Sequence, residues 1–88
     1  MPLYMVIERF RNADAAPVYA RFRARGRLAP EGLTSIASWV DEGLSTCWQV
    51  METADRALLD EWIANWSDFV DFEVVPVVTS KEAAERVG

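Results

Sequence analysis

The apolar positions along this chain change their period in a definite order. Leu3 to Phe10 is a run of β-branched and large apolar residues, which predicts a strand. Val18, Tyr19 and Phe22 then recur at helical spacing, with Arg21 and Arg25 on another face. Asp14 is placed to cap this helix with Ala15 as its first residue, and Gly26 suits a left-handed C-terminus. Leu33 to Val40 and Ser45 to Thr53 predict two strands joined by the turn Asp41-Glu42-Gly43-Leu44, with Gly43 taking positive φ. Thr53 or Asp55 caps a second helix, whose stripe Leu58, Leu59, Trp62, Ile63, Trp66 is the clearest amphipathic signal in the chain. Val70 to Val78 predicts a fourth strand. Pro76 cannot donate to a ladder, so this strand belongs at an edge, or Pro76 sits where it leaves the sheet. Thr79 with Glu82 forms a capping box for a short helix through Arg86, making residues 79–88 a helical tail.

Strand, helix, strand, strand, helix, strand is the order of two split βαβ units. It predicts an α+β fold: a single ferredoxin-like βαββαβ domain over residues 1–88 with a four-stranded antiparallel sheet. Two helices cover one face of such a sheet, and the other face of a solvated sheet should be polar. Here both faces are apolar. Leu3, Met5 and Ile7 point one way and Tyr4, Val6 and Phe10 the other, and Trp48 and Val50 oppose Cys47 and Met51. The second face therefore calls for a partner, most simply a second copy about a two-fold axis. A domain this small buries only roughly 60–65% of its unfolded surface, yet 51% of its residues are hydrophobic and four are Trp. That excess points the same way.

The hairpin register follows from the turn. Centred on Glu42-Gly43, it pairs Val40 with Ser45 and Ala37 with Trp48. Trp39 and Trp48 then share a face with Ser35 and Ala37, while Ile36, Val40, Cys47 and Met51 share the other. Aromatic residues beside small ones either line a cavity or interdigitate in a core.

The net charge of −5, with no His, argues against a nucleic-acid binder. Residues 1–28 carry six Arg against Glu8 and Asp14, a net of +4, and residues 29–88 carry a net of −9. This asymmetry fits two solvated helix faces of opposite sign, or steering of an anionic ligand. A lone cysteine, Cys47, excludes an internal disulfide. The sequence shows neither a membrane-length apolar run nor a signal-peptide pattern, so a cytoplasmic location is expected.

Candidate chemistry is sparse. Cys47 lies mid-strand with nothing local to lower its pKa and reads as an inert buried thiol. Glu8 and Glu52 lie near the ends of the first and third strands, and those two strands are expected to be neighbours. Each is either an acid–base group in an apolar site or a salt-bridged structural carboxylate. Arg23, Arg25 and Arg27 cluster where the first helix ends, where they complement the helix dipole or form a fork for a carboxylate or phosphate. Without His, metal chemistry of the usual kind and His-based acid–base chemistry are not expected.

Several segments carry a family likeness: Met5-Val6-Ile7-Glu8, Tyr19-Ala20-Arg21-Phe22-Arg23-Ala24-Arg25-Gly26-Arg27, Pro30-Glu31-Gly32-Leu33, Ser38-Trp39-Val40, Cys47-Trp48-Gln49-Val50-Met51-Glu52-Thr53, Asp60-Glu61-Trp62 and Val70-Asp71-Phe72-Glu73-Val74-Val75-Pro76-Val77. Through them the whole chain resembles the DUF3303 domain of small bacterial proteins, a family that implies no catalytic residues. At fold level the chain resembles the dimeric α+β barrel group. That group includes cofactor-independent monooxygenases, ring-cleavage isomerases, haem-binding enzymes and stress-responsive domains, and fold does not decide among them. The resemblance implies a homodimer. The expected function is binding of a small acidic or aromatic ligand, without a cofactor, in a pocket between sheet and helices. Its candidate residues are Glu8, Arg25, Trp39, Trp48, Glu52, Trp62, Asn65 and Trp66. Asn65 beside Trp66 parallels the polar-plus-aromatic pockets of the monooxygenases. A monooxygenase or isomerase acting on an aromatic substrate, and a purely structural module, are the alternatives.

Overall fold

The computed structural model describes residues 2–88. Its elements follow the expected order: β1 (Leu3–Phe10), α1 (Ala16–Arg25), β2 (Thr34–Val40), β3 (Thr46–Glu52), α2 (Arg56–Ala64), β4 (Val70–Val77) and α3 (Ser80–Val87). The strands form one antiparallel sheet in the order β2-β3-β1-β4, the ferredoxin-like topology. β4 is an edge strand, which lets it carry Pro76. None of the helices described is long and apolar enough to cross a membrane.

The helix ends are set by side chains that satisfy otherwise orphaned amides. Asp14 Oδ1 accepts from Ala16 N at 3.0 Å, Asp55 Oδ1 from Ala57 N at 2.9 Å and Thr79 Oγ1 from Glu82 N at 3.1 Å. Thr53 braces the second of these, its Oγ1 accepting from Asp55 N. α3 is exposed along nearly its whole length, so the core is built without it.

The core lies between one sheet face and helices α1 and α2. Val6 and Phe10 of β1, Cys47 and Met51 of β3, and Val70 of β4 meet Val18 of α1 and Leu59 and Trp62 of α2. The opposite face is open. Across it run two apolar rows, Trp39-Trp48-Ile7 and Ala37-Val50-Met5-Val75, read from the strand register.

The hairpin differs from expectation. Val40 pairs with Cys47 and Trp39 with Trp48, two residues from the register that a tight turn would give. The cause is Asp41. Its Oδ1 accepts from the amides of Ser45 and Thr46, each at 2.7 Å, and its Oδ2 from Ser45 Oγ, which draws a wider loop around the carboxylate. An even shift preserves side-chain parity, so Trp39 and Trp48 still share a face. Ser35 and Ile36 do not follow the expected pattern. A bulge between Ser35 and Ala37 turns Ser35 to the helix side and leaves Ile36 53% exposed.

Positive φ in this loop falls on Leu44, at 60°, rather than on Gly43. The left-handed conformation costs a β-carbon-bearing residue roughly 1–2 kcal/mol, and Leu44 is 54% exposed, so little packing offsets it. Leu44→Gly is therefore expected to stabilise the fold by about 1 kcal/mol in urea unfolding. No gain would mean that Leu44 makes a compensating contact.

Candidate functional site

Beneath α1 and α2, the inner sheet face does not close completely. A cavity of about 160 Å³ remains, walled by Phe10, Val18, Tyr19, Phe22, Val40, Trp62 and Trp66. Its exposed lining residues, Phe22 on α1 and Ser38 on edge strand β2, place its opening between that helix and that strand. The polar part of its lining is Glu8, Cys47, Gln49, Arg27 and Ser38.

Three of these polar groups, Glu8, Gln49 and Arg27, form a connected chain. Glu8 is 7% exposed and Gln49 3% exposed. Gln49 Oε1 accepts from Arg27 Nη1 and, at 2.7 Å, from Ser35 Oγ. With its oxygen engaged twice, the amide turns its Nε2 to donate to Glu8 Oε2 at 2.9 Å. The bulge that turns Ser35 inward thus orients Gln49.

α2 and the turn after it hold Arg27 in place. Trp62 Nε1 and Trp66 Nε1 both donate to the Arg27 carbonyl, at 3.0 and 2.9 Å, and Asn65 Nδ2 donates to the Leu28 carbonyl at 3.2 Å. The pinned loop passes through positive φ at Gly26 and Leu28. Its fixed path leaves the Arg27 guanidinium 5.4 Å from the Phe22 ring centroid, on the cavity wall. One Arg27 nitrogen engages Gln49, and a guanidinium carries five N–H donors, so others remain for a ligand.

Burial pushes the Glu8 carboxyl above the ordinary glutamate value of 4.5, outweighing Gln49, Cys47 and Arg27, which favour its ionised form. Burial and the adjacent Glu8 push the Cys47 thiol up to about 12, which makes it a poor nucleophile. Burial, with Cys47 and Glu8 nearby, also raises Tyr19.

The folded protein therefore keeps the Glu8 proton to higher pH than the unfolded chain does. Stability from this group is fully present below the ordinary glutamate value and is lost as pH rises through the raised folded one. Glu8→Gln preserves the shape and leaves an amide oxygen to accept from Gln49. Its melting temperature is expected to fall less than that of the wild type between about pH 5 and pH 8. Parallel melting curves would instead show that Glu8 is ionised throughout.

Of the residues expected at the site, the structure brings together Glu8, Trp62 and Trp66. Asn65 braces the loop behind them, its carbonyl also accepting from Arg21 at 2.9 Å. Arg25 is exposed at the end of α1, and Arg27 of the same cluster reaches the cavity instead. Trp39 and Trp48 lie on the open sheet face, away from this cavity. Glu52 is not a neighbour of Glu8. The strands run antiparallel, so Glu8 pairs with Cys47 and Glu52 with Leu3, at the other end and on the other face. Gln49 is not among the candidates that the sequence singles out, although a polar residue between Cys47 and Met51 on an inward-facing strand position is a signal.

The sequence matches, over residues 2–88, the family described as a domain of unknown function, DUF3303. The chain belongs to that family. No curated protein and no solved structure compared with it shows significant similarity.

Proposed function

We propose that this DUF3303 domain is a homodimeric binding protein for a small aromatic or similarly flat molecule. The observation that carries the reading is a cavity with aromatic walls and one connected polar lining, Glu8–Gln49–Arg27. Its size sets the ligand class. A volume of about 160 Å³ matches the ~150 Å³ cavity known to admit benzene and is smaller than the roughly 300 Å³ at the lower end of drug-sized pockets. The ligand is thus of one-ring size, with a polar group directed at Arg27.

Calorimetric titration with phenol tests this. Wild-type protein is expected to bind it. Arg27→Ala should weaken binding about tenfold or more, the worth of a hydrogen bond to a charged group. Arg25→Ala should leave it unchanged. Absence of binding, or equal losses in the two variants, contradicts the assignment.

The open sheet face supports the dimer. Its centre is apolar and its charges lie at the margins, where Arg9 already pairs with Glu73 at 3.1 Å. Two copies can stack these faces about a two-fold axis without burying an unpaired charge, giving an α+β barrel.

A further inference from the structure

We infer that Glu8 is a catalytic base that moves a proton between two carbons of a small unsaturated ketone held in the cavity. This rests on the ligand-binding reading above and adds a reaction to it. Among the described residues, Glu8 is the one carboxylate lining the cavity. Its Oε2 is fixed by Gln49, and Gln49 is fixed in turn by Arg27 and Ser35, so the carboxylate has a defined direction. Proton transfer gains from such fixed orientation. The same cavity wall carries Arg27, whose guanidinium has donors to spare for an oxygen that gains negative charge. A base and an oxyanion donor thus share a space of one-ring size, and the shift needs no more machinery than that.

The step balances without an added reactant. Glu8 carboxylate takes a proton from the carbon lying between the carbonyl and the alkene of a β,γ-unsaturated ketone. The C–H electron pair becomes a new C–C double bond to the carbonyl carbon, and the carbonyl π pair moves onto oxygen, which Arg27 stabilises. Glu8, now a carboxylic acid, delivers the proton to the γ carbon. The carbonyl re-forms, the alkene ends conjugated with it, and the carboxylate is regenerated.

Burial makes this carboxylate a stronger base than an exposed one. The titratable and charged groups facing it are Cys47 of β3, Tyr19 of α1 and Arg27 of the loop. β4 presents Phe72, and α2 with its following turn presents Trp62 and Trp66, none of which titrates.

The test uses the full chain and two probes. A β,γ-unsaturated cyclohexenone is followed by the ultraviolet absorbance of its conjugated product. Saturated cyclohexanone is followed by binding alone, through the indole N–H resonances of Trp62 and Trp66. Isomerisation above the buffer rate is expected, rising with pH as Glu8 ionises. Glu8→Gln should lower it by at least about a hundredfold while still binding cyclohexanone. A merely structural Glu8 would leave the pH profile flat. Cyclohexanone binding without isomerisation, or an unchanged rate in Glu8→Gln, overturns the proton transfer and leaves the binding reading standing. Failure of cyclohexanone to bind while phenol still binds overturns the proton transfer alone, and failure of cyclohexanone and phenol alike overturns both.

Discussion

Trp62→Ala is expected to leave this domain largely unfolded. Trp62 is 2% exposed, packs edge-on against Phe72 at 5.7 Å between centroids, and donates its indole N–H to Arg27. Removing a buried Trp costs about 3–5 kcal/mol through lost burial and the void left behind. Small domains have total stabilities of about 5–15 kcal/mol, and an 88-residue chain belongs near the lower end. Trp62→Phe should lose less, because much of the ring contact survives and Trp66 still donates to the Arg27 carbonyl. Urea unfolding of the two variants gives the comparison. Equal, small losses would show that the core tolerates a void at α2, and that the loop carrying Arg27 is not anchored there.

The second large effect concerns the open sheet face. The wild-type protein is expected to sediment as a dimer, and Met5→Lys as a monomer. Met5 sits in the central apolar row, between Val50 on β3 and Val75 on β4. A two-fold contact brings two copies of the new charge into one interface. Leaving a buried charge uncompensated costs about 3–5 kcal/mol, and each 1.4 kcal/mol is tenfold in affinity, so dissociation should strengthen by at least about a hundredfold. The substitution spares the core because Met5 points away from α1 and α2. A monomeric wild type at micromolar concentration would contradict the dimer outright. A dimeric Met5→Lys would place the contact elsewhere.

The fold was legible in the sequence because its signals are local. Strand runs, the Leu58-to-Trp66 stripe and the capping residues Asp14, Asp55 and Thr79 each act within a few positions of themselves. The site was legible only in part, because it depends on geometry between distant segments. Glu8 and Trp66 could be named as types, but which Arg joins them depends on the path of the loop after Gly26. That path is fixed by indole and amide groups some 35 to 39 residues further on. The side-chain sets of β2 turned on one bulge, invisible in composition, that sends Ser35 inward to Gln49. Glu8 and Glu52 are kept apart for a simpler reason: their strands are neighbours, as expected, but antiparallel pairing joins opposite ends of neighbouring strands.

The distribution of tryptophans allows a direct test of the cavity. Trp62 and Trp66 line it, whereas Trp39 and Trp48 occupy the other sheet face. The measurement is a titration of isotopically labelled protein with phenol, following the indole N–H resonances. Binding in the cavity predicts saturable shifts at Trp62 and Trp66 with Trp39 and Trp48 unmoved. Shifts confined to Trp39 and Trp48, or no saturable shift at all, would contradict a ligand site between the helices and the sheet.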